Sequence, residues 1–189
     1  MRYALVFAIA VAATLVLGSP GAQAQTLQQP AARWFAIPEN ASFSTGDTWI
    51  SGGITYRLYG VQSCLRRTYF TNSVGARLDC GEASLTMLVA LIRDLKPMCY
   101  TAAEQVQSHT KFVFCMAAPT VGHAAGTRID LGTALIASGF AFASITTDAK
   151  PVHQPYLVAQ AVAQKAKSGL WQYADLPDPN LILLKALRK

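Results

Sequence analysis

The stretch that decides the fold class of this chain is Gly46-Asp47-Thr48-Trp49-Ile50-Ser51-Gly52-Gly53-Ile54-Thr55-Tyr56-Arg57-Leu58-Tyr59-Gly60-Val61. Two runs rich in β-branched and aromatic residues, at 48–51 and 54–59, flank a pair of glycines that can adopt positive φ without steric cost. This pattern predicts a β-hairpin, and we expect the folded part of the chain to begin near its start.

Three helical segments follow the hairpin. The first, at residues 81–95, ends before Pro97, the second spans 129–138 and ends before Gly139, and the third spans 156–167. Short apolar runs at 98–100, 111–116 and 140–143 are predicted strands, and 101–110 is a predicted connector. The resulting order of strands and helices predicts an α+β fold. On the first helix, one buried stripe is expected to contain Leu85, Leu88, Val89, Ile92 and Leu95.

The two ends of the chain differ in composition from the middle. Residues 1–24 have the pattern of a secretory signal, with Arg2, an apolar run at 3–17 and the small-residue site Ala22-Gln23-Ala24. The apolar run is shorter than the roughly 20 residues that a spanning helix needs, so we expect a periplasmic or secreted protein and no transmembrane anchor. The remaining organisation is a flexible lead-in at 25–45, a folded domain at 46–175 and a C-terminal tail at 176–189.

The tail is apolar from Leu181 to Leu184 and has a basic end. We expect it to form a helix that packs back on the domain. The alternative is a docking or membrane-surface segment.

The charge balance indicates a mildly basic protein. The formal net charge of +6 falls to +5 once the predicted signal, which carries Arg2, is removed. Such a surplus favours polyanions such as nucleic acid or acidic polysaccharide, but the charges are scattered along the chain. An ordinary solvated surface explains them equally well.

Four cysteines lie in a chain that is expected to reach an oxidising compartment, so two disulfides are predicted. Of the three connectivities we favour Cys64 with Cys80 and Cys99 with Cys115, because the second pair lies on two predicted strands that a polar connector would make adjacent. Metal binding by these residues is disfavoured, because no spacing gives the CxxC pair of structural zinc sites.

Several short motifs occur in an order that resembles the thermonuclease (staphylococcal nuclease-like) family over nearly all of residues 46–171. The motifs are Gly46-Asp47-Thr48, Arg57-Leu58-Tyr59-Gly60-Val61, Ile129-Asp130-Leu131 with Gly139-Phe140-Ala141, and Tyr156, Ala159 and Ala163 with Lys167-Ser168-Gly169-Leu170-Trp171. The resemblance implies a five-stranded OB-type β-barrel with about three packed helices. The cysteine positions look like those of exported bacterial members.

Active members of that family cleave phosphodiesters with Ca²⁺, and the resemblance assigns roles to residues of this chain. Asp47 matches the first metal carboxylate and Arg57 matches the arginine that contacts phosphate. The catalytic loop, D-x-P-E in active members, is Gln62-Ser63-Cys64-Leu65 here. A metal ligand and the general base are therefore replaced. The alternative for Asp47 is a structural role, in which it caps the hairpin and pairs with Arg57 without a metal.

Three further cations are candidate anion-binding residues. Thr110 occupies the position of the family's second arginine, so the neighbouring Lys111 can supply only a point charge there. Arg66 and Arg67 directly follow Leu65 in the loop. No cofactor is expected unless the protein is a nuclease, in which case Ca²⁺ is.

These replacements favour a non-catalytic accessory or binding role, with a polyanion or an envelope protein as partner. The loop replacement resembles that of exported members associated with succinoglycan-type exopolysaccharide biosynthesis, which makes an acidic polysaccharide the favoured ligand. One alternative is a phosphodiesterase with a rearranged site that uses Asp47, Arg57 and Glu82 or Asp79. Another is a structural component of an envelope assembly, which the apolar tail would serve.

Overall fold

The computed structural model of the protein describes residues 33–118 and 127–188. The predicted signal at 1–24 and the first part of the predicted lead-in, at 25–32, lie outside the described residues.

The predicted hairpin is present. Strand β3 (Thr48–Ser51) pairs antiparallel with β4 (Ile54–Leu58). Gly52 and Gly53 make the turn with φ of 57° and 74°, a left-handed conformation in which other residues are strained. The turn therefore sets the register of the hairpin, with Thr48 opposite Arg57.

The hairpin belongs to a curled, mixed sheet of seven strands. The strand order is β1 (Phe35–Ala36), β8 (Met98–Gln105), β9 (Thr110–Ala117), β4, β3 and β2 (Ser42–Thr45). Strand β10 (Ile129–Asp130) is added to β9, and the pairing of β4 with β9 is parallel. The described residues also form two two-stranded sheets. One pairs β5 (Val61–Ser63) with β11 (Ala141–Ala143), and the other pairs β6 (Tyr69–Thr71) with β7 (Arg77–Asp79). The α+β class is confirmed, and the main sheet is larger than five strands.

The predicted flexible lead-in up to residue 45 is wrong in its second half. Strand β1 (Phe35–Ala36) pairs with Met98 and Cys99, and β2 (Ser42–Thr45) pairs with β3. These short segments lack periodicity of their own, and they are ordered because the edges of the sheet offer backbone partners. Ordered structure thus starts before Gly46.

The predicted connector at 101–110 is also largely strand. Strand β8 (Met98–Gln105) and strand β9 (Thr110–Ala117) form a long hairpin around a short 3₁₀ turn, Val106–Ser108. Cys99 lies directly opposite Cys115 in this hairpin, and the two form a disulfide. The other disulfide joins Cys64 to Cys80. Both predicted pairings are confirmed.

The described residues form four α-helices: α1 (Cys80–Leu95), α2 (Leu131–Ala137), α3 (Gln154–Lys165) and α4 (Pro179–Leu187). The buried stripe predicted for α1 is partly wrong. Val89 is exposed, whereas Ser84 is fully buried with Leu88. The helix approaches the turn before β3 so closely that a Cβ on Gly46 would lie 2.5 Å from Ser84 Cβ, so a small residue is needed where the backbones meet.

The core divides into two clusters. The larger one lies under the sheet and includes Trp49, Leu58, Leu88 and Val113. A smaller one gathers around the Cys64–Cys80 disulfide and Phe142. Among the described residues, no helix combines the length and the apolar character needed to cross a membrane.

Candidate functional site

Asp47 lies in the turn between β2 and β3 and is only 2% exposed. Its Oδ1 accepts hydrogen bonds from Thr45 Oγ1 at 2.6 Å and Thr48 Oγ1 at 2.8 Å. Its Oδ2 accepts one from the Ser63 backbone N–H at 3.2 Å and pairs with Arg57 Nη2 at 3.1 Å. The carboxylate is therefore surrounded by four donors.

Arg57 reaches this carboxylate because of the hairpin register. It lies opposite Thr48, the residue next to Asp47, on the neighbouring strand. Its side chain remains 36% exposed, so the guanidinium bridges the buried carboxylate and the surface. The ion pair with Arg57 that the structural alternative for Asp47 predicts is present.

Gln62, which stands where the resemblance places a second metal carboxylate, is also buried. Its Oε1 accepts a hydrogen bond from Arg57 Nη2 at 2.7 Å, and its Nε2 donates to the Ser63 carbonyl at 2.9 Å. Both ends of the amide are thus occupied, and the side chain holds Arg57 in place.

These groups do not fit a calcium ion. Ca²⁺ takes six to eight oxygen ligands, commonly including more than one carboxylate. An ionised carboxylate has about four acceptor positions, and those of Asp47 face four donors, one of them cationic. Leu65 offers no ligand. Within residues 33–118 and 127–188, no three His, Cys, Asp or Glu side chains are grouped as a metal site requires.

The acidic residues proposed for a rearranged site have other partners. Asp79 caps α1, with Oδ1 accepting from the Glu82 backbone N–H at 3.1 Å and Oδ2 accepting from the Arg67 backbone N–H at 2.8 Å. Glu82 forms an ion pair with Arg66. Both carboxylates therefore stabilise the junction between the 62–68 loop and α1.

The three candidate anion-binding residues are not brought together. Arg66 is paired with Glu82 and donates through Nε to the Ser44 carbonyl at 3.1 Å. Lys111 is registered with Tyr56, whereas Arg57 is registered with Phe112, so alternation along the strands puts Lys111 and Arg57 on opposite faces of the sheet. Arg67 has no ion pair among the described residues.

Sequence reasoning missed an exposed cation on the β6–β7 hairpin. Arg77 on β7 lies over the ring of Tyr69 on β6, with Cζ 4.2 Å from the ring centroid, and Tyr69 is 40% exposed. Asp79, the register partner of Tyr69, holds the Arg67 backbone. The β6–β7 hairpin, which begins two residues after Arg67, thus carries an exposed arginine and tyrosine. A Tyr and an Arg on the two sides of a Gly-containing turn are the signal that could have found this pair.

Sequence reasoning also missed a groove next to Arg57. It has a volume of about 540 Å³ and runs between the sheet and α4. Its walls include Phe112 from β9 and Leu183, Leu184 and Leu187 from α4. No local pattern connects the C-terminal segment to Arg57, because the two are brought together only by the packing of α4.

No family model matches this chain. None of the curated proteins matches it at a significant level either.

Proposed function

We propose that this protein is an exported, thermonuclease-like protein with an OB-type barrel whose catalytic site has become a structural element, and that it acts by binding. The observation that carries the proposal is the environment of Asp47. Three protein donors hydrogen-bond to this carboxylate and Arg57 forms an ion pair with it, so few of its acceptor positions remain for a cation.

The chemistry of phosphodiester cleavage supports this assignment. Hydrolysis needs a base to activate water and a cation or arginine to stabilise the charge that builds on the phosphate. Leu65 stands where the resemblance expects the base, and loss of a general base costs about 10²- to 10⁴-fold in rate. Arg57 is bound to Asp47 and Gln62 through the same nitrogen. The expected base is therefore missing, and the expected phosphate arginine is held by two neighbouring side chains.

The proposed ligand is an acidic polysaccharide of the succinoglycan type. The supporting surface is the β6–β7 hairpin with Arg67, Arg77 and Tyr69. Guanidinium groups bind carboxylates, and an exposed aromatic ring offers an apolar contact area for a sugar ring. The net positive charge of the chain has the right sign, and the resemblance to exported members associated with such polysaccharides agrees with it.

Export is supported by the cysteine chemistry. Two disulfides and no free cysteine among the described residues are typical of an oxidising compartment. Together with the predicted signal at 1–24, this favours the periplasm or the extracellular space.

The binding proposal is tested by affinity electrophoresis of the oxidised protein in gels that contain succinoglycan, with neutral dextran as the reference. We expect retardation by succinoglycan alone, and its loss when Arg67 and Arg77 are both replaced by Ala. Arg93→Ala is the matched control, because Arg93 is equally exposed but lies on α1 and is paired with Asp94. Equal retardation of the double variant and the control would contradict the assigned surface.

The non-catalytic proposal is tested separately. Release of acid-soluble fragments from single-stranded DNA and RNA is measured with Ca²⁺ and with a chelator, beside Asp47→Ala. We expect no cation-dependent release. Activity that needs Ca²⁺ and disappears in Asp47→Ala would establish the rearranged phosphodiesterase instead.

A further inference from the structure

The C-terminal helix α4 is apolar around most of its circumference but is not buried. Its sequence is Pro-Asn-Leu-Ile-Leu-Leu-Lys-Ala-Leu, and Leu181, Leu183 and Leu187 are 54%, 39% and 70% exposed. A helix that is apolar on all sides normally lies inside a larger core, since each exposed leucine forgoes the free energy of burial. These leucines leave an apolar surface on this helix.

The helix is fixed to the body of the protein at its first turn. Asn180 is buried and donates through Nδ2 to the Ala143 carbonyl at 3.0 Å, and Asp178 caps the helix. Beyond this anchor, Leu183, Leu184 and Leu187 form one wall of the groove next to Arg57. The opposite wall includes Val61 and Phe112. The groove is therefore a slot between two apolar walls, and its volume of about 540 Å³ falls in the range of small-molecule sites.

One side of the slot carries a positive charge. Arg57 lines it, and only Nη2 of its guanidinium has partners among the described residues. Nε and Nη1 keep donors that can face the groove. No Asp or Glu is among the residues that line it. The charge of the lining thus favours an anionic group at Arg57, although Asp47 behind it moderates the attraction.

We infer that this groove binds a monomeric single-chain amphiphile with a carboxylate head, of the fatty-acid class. The head accepts hydrogen bonds from Arg57, and the aliphatic chain lies between α4 and the sheet, where it covers the exposed leucines of the groove wall. The proposed polysaccharide surface does not involve this site, so the inference is independent of that ligand. Arg57 is also one of the residues that the resemblance names, but its role here is to bind a carboxylate.

The test is calorimetric titration of the oxidised protein with dodecanoate, kept below its micellar concentration. We expect one saturable site with a dissociation constant in the micromolar range. Dodecyltrimethylammonium has the same chain and the opposite charge, and we expect it to bind at least tenfold more weakly, because it cannot accept a hydrogen bond from Arg57. Equal binding of the two probes, or no saturable binding of dodecanoate, would overturn the inference.

Two variants of the same helix locate the site. Leu187→Glu puts a carboxylate into the groove wall and should weaken dodecanoate binding at least tenfold. Leu181→Glu makes the same change on the same helix at a residue that does not line the groove, and binding should be unchanged. Circular dichroism confirms that both variants are folded. If Leu187→Glu binds like the parent protein, the groove is not the site.

A third measurement separates a bound amphiphile from a membrane surface. If α4 docks on anionic lipid, the protein should float with phosphatidylglycerol vesicles, and both glutamate variants should abolish flotation. If the protein floats in this way and does not bind monomeric dodecanoate, the inferred ligand site is wrong and α4 docks on membranes instead.

Discussion

Arg57 Nη2 donates to Gln62 Oε1 at 2.7 Å and contacts Asp47 Oδ2 at 3.1 Å. This one nitrogen therefore connects the β3–β4 hairpin to Gln62 on β5. Gln62 in turn donates to the Ser63 carbonyl, and the Ser63 N–H donates to Asp47. The four residues form a closed network in which each buried polar group has a partner. Such a network stabilises the region between β4 and β5, and disruption of one member leaves others unsatisfied.

Asp47→Asn should therefore lower the free energy of unfolding by about 1–3 kcal/mol, because it removes the charge of a buried carboxylate and leaves some of its buried donors unsatisfied. Urea unfolding followed by tryptophan fluorescence measures the change. Asp148→Asn is the control, since Asp148 is exposed and pairs only with neighbouring groups on its own turn.

The same experiment in the presence of Ca²⁺ distinguishes a structural from a metal-binding carboxylate. A ligand that binds the folded state raises its stability in proportion to the logarithm of its concentration. We expect Ca²⁺ to leave the parent protein unchanged. Stabilisation of the parent, absent in Asp47→Asn, would show that Asp47 holds a cation.

Gly132→Ala should destabilise the contact between α2 and α3. A Cβ at this position would lie 2.3 Å from Tyr156 Oη and 2.6 Å from Tyr156 Cζ, so the two helices must move apart. Overpacking of this kind costs about 1–3 kcal/mol. The unfolding free energies of Gly132→Ala, Tyr156→Phe and the double variant form a cycle. If the changes in unfolding free energy of the two single variants add up to that of the double variant, a direct clash is contradicted, because substitutions of contacting residues are not additive.

Tyr156 makes the stability of the protein sensitive to alkaline pH. Burial, together with the negative charge of Asp130, raises the pKa of the Tyr156 hydroxyl above its usual value near 10. The folded state therefore favours the neutral hydroxyl of Tyr156. Its contribution to the free energy of unfolding is complete below the pKa of tyrosine in the unfolded chain and is lost as the pH rises beyond about 10.

Unfolding free energies measured between about pH 9 and about pH 11 test this dependence. The parent protein should lose more stability over this interval than Tyr156→Phe, which has no hydroxyl to ionise. If both proteins lose the same free energy of unfolding, groups other than Tyr156 cause the alkaline sensitivity.

The two disulfides offer a matched pair of deletions, because both join cysteines separated by 16 positions. The entropy of the unfolded chain predicts a loss of about 3 kcal/mol for each double replacement by Ala. Denaturant unfolding of the two variants measures it. A much larger loss for the Cys64–Cys80 variant would show that this bond also holds the 62–68 loop on α1 in the native state.

Local patterns were sufficient for several parts of the fold. The Gly52-Gly53 pair permits only a tight turn between two β-forming runs, and the hairpin is present. The helix that begins after Asp79 and ends before Pro97 is bounded by a capping residue and a helix breaker. Cysteines on adjacent predicted strands gave the correct disulfide. In each case the information lies within a short segment.

Other features depend on distant partners and were missed. Phe35 and Ala36 are strand residues because Cys99 and Met98 offer a free edge. Val89 is exposed because α1 turns its small residue Ser84 toward the sheet. Lys111 lies away from Arg57 because the register between β4 and β9 pairs it with Tyr56, and a register between strands far apart in sequence has no local signal.

By itself the sequence determined the residue types at the candidate site: one carboxylate at Asp47, one arginine at Arg57, an amide at Gln62 and an apolar side chain at Leu65. The tertiary structure decided what those groups do. Burial and the hairpin register surround Asp47 with donors, and the packing of α4 makes a groove beside Arg57. The physical reason is that a side chain's identity fixes which bonds it can form, whereas its surroundings fix which of those bonds remain available.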